Sequence, residues 1–367
     1  MIKRKGSASG VVISVIIAAI AVVGGGIFIY NNVHSSKTVK ANAATVENKS
    51  EAFTITDSTG QKVHFDKVPQ KIVVLDADAY SLINMLGGKD KVVGVSKMMS
   101  ETPGMPKVAV AGTWQNPNVE EILKLKADVV FAYAQYTNKK AVKELQDAGV
   151  KVVYINADNM STLESDVTAV GQILGNESKA QEFNDMATKY INLVKERISK
   201  IPADKRVNTY IEEYGKDQTA GKGSAVQSLL DAAGVKNIAA NDGQFATVSD
   251  AWILQENPDM VIKLETDGMG VLGQGVTNTD KAEKAYDELI GRPGWDNLKA
   301  VKEKKVYLMD NNLALSDMSM IPGMLYIAKW AYPEQFKDIN PAQVQKQIDT
   351  QFLGKTESGT YVYNGNK

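Results

Sequence analysis

The residue types that most often do chemistry in proteins are scarce in this sequence of 367 residues. It has no cysteine and only two histidines, His34 and His64. The chain therefore offers no thiolate metal site, cysteine nucleophile or lipidated cysteine, and little material for a histidine-based zinc site. It also lacks a His-Glu-x-x-His motif, a nucleophile elbow and a calcium-binding loop. We predict that the protein is not an enzyme and has no metal site or intrinsic cofactor.

Two glycine-rich stretches resemble phosphate-binding motifs. Gly268-Met-Gly-Val-Leu-Gly273 matches the dinucleotide fingerprint and follows a predicted strand. Residues 274–279, however, do not continue as the helix that would present its amides to a pyrophosphate. Gly221-Lys-Gly-Ser224 lacks the spacing of a phosphate-binding loop. We expect both stretches to be loops, and a nucleotide-dependent oxidoreductase is the alternative from another functional class.

Aromatic residues, methionines and amides are concentrated in loops that follow predicted strands, where open α/β sheets bind their ligands. This mixture suits a large, partly apolar ligand held by a few polar anchors. Ordinary packing explains any one of these residues equally well, so the prediction concerns the set. The predicted ligand-binding residues are Tyr80, Lys97, Met98, Trp114, Gln115, Tyr136, Tyr214, Phe245, Met269 and Asn311. The same loops carry Asp78, Tyr133, Gln135, Gln244 and Asn312.

Short β-branched strands alternate with helical segments through the first part of the sequence, after a hairpin predicted over 53–65. Alternation of this kind requires crossover connections, which predicts a parallel sheet covered by helices. The predicted strands lie at 71–75, 92–95, 108–110, 127–132 and 151–155. The predicted helices lie at 79–86, 119–125, 139–148 and 162–174.

The same pattern restarts further along the chain, with strands near 206–211, 259–264 and 305–309. The two parts also share a phrase. Residues 119–130 and 249–262 each contain a short helix, a break, and an Asp that opens a buried strand. We therefore predict an α/β protein with two lobes, each with a mostly parallel sheet flanked by helices. The predicted lobes are residues 51–175 and 202–367.

One long helix is predicted between the lobes, over residues 176–201. Apolar side chains recur every three or four positions, and no Gly or Pro occurs from residue 177 until Pro202. Asn176 is the predicted N-cap, and basic residues near the end suit the helix dipole. An ordinary surface helix of a single domain is the alternative interpretation.

The N-terminus predicts export to the outer face of the cell membrane. Three basic residues at 3–5 precede an apolar run over 11–30, long enough to cross a bilayer as a helix. Ala41-Asn42-Ala43 resembles a signal-peptidase site, whereas Lys5-Gly6 resembles a prepilin-type signal that would leave the helix in place. We favour a retained anchor. The predicted segments are a membrane anchor or signal over 1–31 and a flexible tether over 32–50.

The charge balance argues against a nucleic-acid partner. Forty-two basic and 43 acidic residues give a net charge of −1. The soluble part has no basic run interleaved with aromatic residues, which nucleic-acid binding would favour. We expect a monomer.

The order and spacing of several phrases resemble the substrate-binding proteins of ABC importers for iron-siderophore complexes, haem and cobalamin, the class III periplasmic-binding-protein family. The resemblance covers about Phe53 to Gly354. It implies two α/β lobes joined by one long helix, with a ligand held between them and little lobe closure, and delivery to a permease and its ATPase. The matching phrases are Asp57-Ser-Thr-Gly60, Lys71-Ile-Val-Val-Leu75, residues 118–130, Val248-Ser-Asp250, Asn257-Pro-Asp-Met-Val-Ile262, residues 294–302 and residues 325–334.

The resemblance also implies two permease-docking acids, because in this family an acid on each lobe meets arginines of the permease. The first falls on Glu120, with Glu121 beside it as a substitute. In the second lobe the usual position holds Ala251, so Asp250 is the candidate. The helix dipole alone would also favour an acid at either position.

The sequence does not single out one ligand among those that this family carries. The exported part has only three arginines, Arg197, Arg206 and Arg292, and none is predicted in the cleft, which disfavours an anionic catecholate siderophore. His64 is predicted in the early hairpin, so haem would need Tyr or Met ligands. We favour an iron-siderophore complex of the hydroxamate type or a corrinoid, with a haem receptor as the alternative.

Overall fold

The computed structural model describes residues 51–102, 105–156, 159–266, 269–315, 318–354 and 358–365. The predicted anchor and tether over 1–50 lie outside these ranges. Within them, no helix is long and apolar enough to cross a membrane.

A hairpin and a five-stranded parallel sheet are built from the residues before 155. The sheet order is β5-β4-β3-β6-β7, and the central strand is buried on both faces, which explains its uninterrupted apolar sequence. The strands are β1 (Phe53–Thr56), β2 (Lys62–Phe65), β3 (Ile72–Val74), β4 (Val92–Val95), β5 (Ala109–Val110), β6 (Val129–Phe131) and β7 (Lys151–Val153). The helices are α1 (Ala77–Met85), α2 (Lys97–Glu101), α3 (Val119–Leu125), α4 (Lys139–Asp147) and α5 (Leu163–Leu174).

The long helix α6 (Glu177–Ile198) follows, three residues shorter at its end than predicted. It buries the predicted apolar stripe, including Phe183 and Val194. Asn176 stands at the N-cap position, but the predicted side-chain cap is wrong. Its amide nitrogen donates instead to the carbonyl oxygen of Leu86 at 2.6 Å.

A second five-stranded sheet is built from the residues after α6. Its order is β10-β8-β12-β14-β16, parallel except for β16. The strands are β8 (Asn208–Glu212), β9 (Gln218–Thr219), β10 (Lys236–Asn237), β11 (Ala246–Thr247), β12 (Met260–Glu265), β13 (Gly273–Gln274), β14 (Val306–Asp310), β15 (Gly359–Thr360) and β16 (Val362–Tyr363). The helices are α7 (Ala225–Ala233), α8 (Asp250–Glu256), α9 (Asp280–Ile290), α10 (Lys299–Lys302), α11 (Asn312–Leu315), α12 (Met320–Ala331) and α13 (Pro341–Gln351). The predicted α/β class with parallel sheets flanked by helices is confirmed.

The repeated phrase has the same structure in both sheets. Asn118 and Ser249 cap helices α3 and α8 through their side chains, and both helices end at a left-handed residue. The Asp that follows then accepts a hydrogen bond at the start of the neighbouring strand, which is β3 in the first sheet and β8 in the second. Asp128 accepts from the amide of Lys71 at 2.9 Å, and Asp259 from the amide of Asn208 at 2.9 Å. The predicted duplication therefore extends to individual hydrogen bonds.

The two sheets share a continuous apolar core through α6. This helix packs against α5 on one side and against α7 and α12 on the other. Its Phe183 also stacks edge-to-face on Phe352, with ring centroids 5.3 Å apart. One cluster of buried side chains accordingly runs from Ile55 to Phe352. Below, residues before α6 are called the N-terminal half and residues after it the C-terminal half.

Candidate ligand cleft

Each sheet has one point where its strand order reverses. The chain leaves β3 for β4 and β5 on one side and returns to β6 on the other, so the first reversal lies between β3 and β6. In the second sheet, β10 and β12 flank β8, so the reversal lies between β8 and β12. Ligands of open α/β sheets bind beyond the carboxyl ends of strands at such points. The residues that follow β3, β6 and β8 are therefore the first candidates for a site.

A cavity of about 210 Å³ lies at the first reversal point. Phenols, hydroxyls and amides dominate its wall, and only Gln244 comes from the C-terminal half. Its lining residues are Ser58, Thr59, Asp78, Tyr133, Ala134, Gln135, Tyr136, Tyr154, Ile155, Asn156 and Gln244.

A second cavity of about 340 Å³ draws on both halves. It shares Asp78 and Gln244 with the first cavity, so the two adjoin and form one cleft between the halves. Its lining residues are Ala77, Asp78, Ser81, Met105, Glu213, Tyr214, Ser224, Ala225, Gln244, Phe245, Asn311, Asn312 and Leu315.

Two tyrosine rings of one wall of the first cavity, Tyr133 and Tyr136, are backed by the ring of Trp114. The ring of Trp114 lies edge-to-face on those of Tyr133 and Tyr136, with centroids 5.8 Å and 5.7 Å away. The Tyr133 hydroxyl accepts from the Ala77 amide at 3.3 Å and donates to Asp78 Oδ2 at 3.4 Å. Burial, helped by nearby Asp76 and Asp78, raises the pKa of Tyr133 far above its usual value. This wall therefore presents two phenol rings to the cavity, supported from behind by an indole.

Asp76 lies beneath the same wall and is fully buried. One of its carboxyl oxygens accepts from the amides of Asp78 and Ala79 at 2.9 and 3.2 Å, which caps α1. The other oxygen has no hydrogen-bond partner among the described residues. Burial, and secondly the charge of Asp78, raises the pKa of Asp76 well above its usual value. The residue thus holds α1 in place at the cleft.

A buried ion network lies behind the second cavity. The Arg292 guanidinium binds Glu212 in bidentate fashion, at 2.7 and 2.8 Å, and lies over the Trp295 ring. The Lys263 ammonium lies 3.4 Å from the Glu212 carboxylate and donates to the main-chain oxygen of Glu213 at 2.6 Å. The pKa of Glu212 is lowered: burial alone would raise it, but the hydrogen bond from Arg292 and the Lys263 charge outweigh that effect. Arg292 therefore supports the fold rather than the ligand site.

Four of the ten predicted ligand-binding residues line the cleft: Tyr136 in the first cavity, and Tyr214, Phe245 and Asn311 in the second. Phe245 is 70% exposed and Tyr214 56% exposed, which is unusual for large apolar side chains in a folded protein. A fifth predicted residue, Trp114, packs edge-to-face against Tyr136 but lines neither cavity itself.

The other five predicted residues line neither cavity. Tyr80 is 6% exposed and belongs to the apolar core. Lys97 and Met98, predicted in a loop, open the short helix α2 instead. Gln115 and Met269 lie on exposed loops. Ligand contact by any of the ten residues stays a prediction.

The two predicted docking acids stand in the first turns of equivalent helices. The matching caps at Asn118 and Ser249 align Glu120 with Ala251, so Asp250 stands one position earlier. Asp250 accepts hydrogen bonds from Lys216 at 2.8 Å and from the Trp295 indole at 3.1 Å. The first of these bonds lowers its pKa. Asp250 is thus already paired, whereas Glu120 is exposed.

Several cleft residues escaped the sequence analysis, chiefly Ser58, Thr59, Tyr154, Asn156, Glu213 and Ser224. Ser58 and Thr59 belong to the turn of the β1–β2 hairpin, which was not expected near the site. Glu213 follows a buried strand directly, and this position is the signal that could have revealed it. His64 lies in β2 and lines neither cavity.

Comparison with known proteins decides the family. A model of the family described as periplasmic binding protein matches residues 72–313 of this chain. The chain belongs to this family. It is similar to an uncharacterized ABC transporter substrate-binding lipoprotein, YvrC, of Bacillus subtilis, with 31% identity over 298 residues that cover 79% of this chain and 89% of that protein. The resemblance drawn from the sequence phrases is confirmed, and the relatives of this binding protein support a non-enzymatic role.

Two further relatives differ in the ligand that their names record. A cobalamin-binding protein of Halobacterium salinarum is 27% identical over 216 residues, 56% of this chain and 57% of that protein. The structure of MolA from Haemophilus influenzae bound to molybdate covers 84% of this chain and 99% of that chain, with a TM-score of 0.66 and 22% identity. At this identity the second likeness shows the fold of the periplasmic binding protein and not its ligand.

Proposed function

We propose that this substrate-binding protein captures an iron-siderophore complex or a corrinoid between its two halves and delivers it to an ABC permease driven by its ATPase. The observation that carries the proposal is the cleft itself. It joins the reversal points of both sheets and combines exposed aromatic side chains with hydroxyls and amides. Such a lining suits a large, partly apolar chelate.

The charge of the lining supports a neutral or cationic cargo over an oxyanion. Among the described residues that line the two cavities, none is Lys, Arg or His. Undescribed positions between 51 and 354 also hold no basic residue in the sequence. The N-termini of α1 and α7 do reach the second cavity, but the charge-assisted donors on which oxyanion sites also rely are absent from the described lining, where the acids Asp78 and Glu213 stand instead. Molybdate, the ligand of the MolA structure, is therefore a weaker candidate here. Haem is the alternative cargo, and it would need Tyr or Met ligands.

In this proposal the protein is a monomer at the outer face of the cell membrane. The segment over 1–31 is its membrane anchor, and the tether over 32–50 lets the binding domain move away from the membrane surface. Permease contact is assigned to Glu120 and Asp250 in the first turns of α3 and α8. The core shared through α6 supports little movement of one half against the other on binding, because packed helices resist large rotations.

Ligand titration tests the proposal with a signal that the structure provides. Of the four tryptophans, Trp114 is the one whose ring packs against the cleft residues Tyr133 and Tyr136. The full chain in mild detergent is titrated with ferrioxamine B, cyanocobalamin, haem and molybdate while tryptophan fluorescence is followed. We expect saturable quenching by ferrioxamine B or cyanocobalamin, and loss of most of this signal in Trp114→Phe. Calorimetry on both forms separates lost signal from lost binding. A folded protein that binds only molybdate, or none of the four, would contradict the proposal.

A further inference from the structure

One carboxyl group in the cleft, that of Glu213, makes no hydrogen bond to any residue that the structure describes. Glu213 follows β8 directly, at the point where the order of the second sheet reverses. Its side chain lines the larger cavity, yet the residue is only 4% exposed. Within the described part of the chain, its carboxyl makes no hydrogen bond. A buried carboxyl without a partner costs free energy, so native structures usually supply one.

The neighbouring cation does not provide that partner. Lys263 donates to the main-chain oxygen of Glu213 at 2.6 Å and lies 3.4 Å from the Glu212 carboxylate. Glu212 in turn is bound by Arg292. The cations near the end of β8 thus serve Glu212 and the main chain, and the Glu213 carboxyl faces the cavity.

The titration behaviour of Glu213 agrees with this geometry. Burial raises its pKa to about 7, opposed only by the Lys263 charge. A second acid, Asp78 of α1, lines the same cavity. Glu265 at the end of β12 lines neither cavity, and its pKa is also raised by burial. A positive charge brought into the cavity would therefore meet carboxylates from both halves and would favour the ionised form of Glu213.

We propose that Glu213 selects the charge of the cargo by pairing with a cationic group, such as an ammonium, on the bound chelate, with Asp78 on the opposite wall. This inference rests on the proposed function and makes it more specific. The cargo is then a large chelate that carries positive charge, held between neutral aromatic rings and two acids. The same arrangement repels oxyanions.

Matched pairs of chelates test the inference on the full chain in mild detergent. Ferrioxamine B carries one ammonium, and its N-acetylated form is neutral with the same iron centre. Aquocobalamin is a cation at acidic and neutral pH, and cyanocobalamin is neutral. Dissociation constants are measured by calorimetry between pH 5.5 and 7.5 for each chelate. The variants are Glu213→Gln, Glu213→Asp, and Glu196→Gln on the exposed face of α6 as a control for the charge change.

We expect the cation of at least one pair to bind about tenfold more tightly than its neutral partner at pH 7.5, since a charged hydrogen bond contributes about that factor. The preference should shrink toward pH 5.5 as Glu213 takes up its proton. Glu213→Gln should remove it, whereas Glu213→Asp and Glu196→Gln should retain it. Equal binding within every pair that binds, or a preference unchanged in Glu213→Gln, would overturn the inference and leave the proposed function standing. Absence of binding by all four chelates to folded protein would overturn both.

Discussion

The two reversal points of the molecule are built on the same scaffold and differ in chemistry. In each half a capped helix ends at a left-handed residue, and an Asp then accepts a hydrogen bond at the start of β3 or β8. Beyond the ends of β3 and β8 the halves diverge. Asp76 caps α1 and supports a wall of neutral rings, while Glu213 faces its cavity without a hydrogen bond in the described ranges. The repeated hydrogen bonds thus preserve the fold, and the residues after β3 and β8 are free to set specificity.

The two halves also neutralise their buried acids differently. The N-terminal half leaves Asp76 in a site whose burial, and secondly the charge of Asp78, raises its pKa well above the usual value. The C-terminal half keeps Glu212 ionised by surrounding it with Arg292 and Lys263. Arg292 and Lys263 therefore depend on the negative charge of Glu212. The hydrogen bonds that Asp76 accepts from the α1 amides do not require a charge.

Substituting each acid by its amide tests directly whether stability depends on the charge of Glu212 and not on that of Asp76. Glu212→Gln should lower the free energy of unfolding by about 3 kcal/mol, because Lys263 and Arg292 would lose the buried carboxylate that they share, and Arg292 would keep only the longer contact with Asp217 at 3.8 Å. Asp76→Asn should change it by less than about 1 kcal/mol, because the amide oxygen can still accept from the α1 amides. Urea denaturation followed by tryptophan fluorescence measures both.

The control for this pair is Asp147→Asn, which breaks an exposed ion pair with Lys143 and should cost less than about 0.5 kcal/mol. If Asp76→Asn proved as damaging as Glu212→Gln, Asp76 would have to be ionised in the folded protein, and the contrast between the halves would be lost.

The pH dependence of stability should carry the signature of Glu213. Its pKa rises from an ordinary 4.5 to about 7 in the folded protein. Between these values the folded state keeps a proton that the unfolded state releases, so stability is fully present below pH 4.5 and falls as pH rises toward 7. At about 1.4 kcal/mol per pKa unit, the loss from pH 4.5 to 8 should be about 2 to 3 kcal/mol.

Comparison with Glu213→Gln isolates this contribution, because the raised pKa values of Asp76 and Glu265 act in the same direction in both proteins. As pH rises from 4.5 to 8, the free energy of unfolding of the wild type should fall relative to that of Glu213→Gln by that amount. A pH-independent difference would mean that the pKa of Glu213 is the same in the folded and unfolded protein.

Local patterns in the sequence predicted most of the scaffold, and long-range pairings explain what they missed. The apolar run at 71–75 and the repeated phrase each specify their structure within about a dozen residues, so the sheets and the duplication were foreseeable. Glu212 and Glu213 are adjacent and chemically identical. Their contrasting pKa shifts depend on long-range partners, because Arg292, 80 positions away, and Lys263 lower the pKa of Glu212 against its burial. Asn176 likewise lost its predicted capping role to the Leu86 carbonyl, 90 positions away.

The smallest expected effect concerns the outer ends of the repeated helices. Glu120 is exposed in the first turn of α3, whereas Ala251 holds the equivalent position of α8 and the adjacent Asp250 is paired with Lys216. Rim charges mainly affect the rate of association. Glu120→Gln should therefore lower uptake of the cargo by cells a few-fold without changing its affinity for the isolated protein. Ala251→Glu should raise uptake or leave it unchanged. Uptake of the labelled cargo measures both, with Glu144→Gln on the exposed surface of α4 as the control.

If Asp250→Asn reduced uptake as strongly as Glu120→Gln at unchanged stability, Asp250 would be the second docking acid despite its pairing. A loss of uptake in Ala251→Glu would show instead that α8 meets the permease through a surface that excludes added charge.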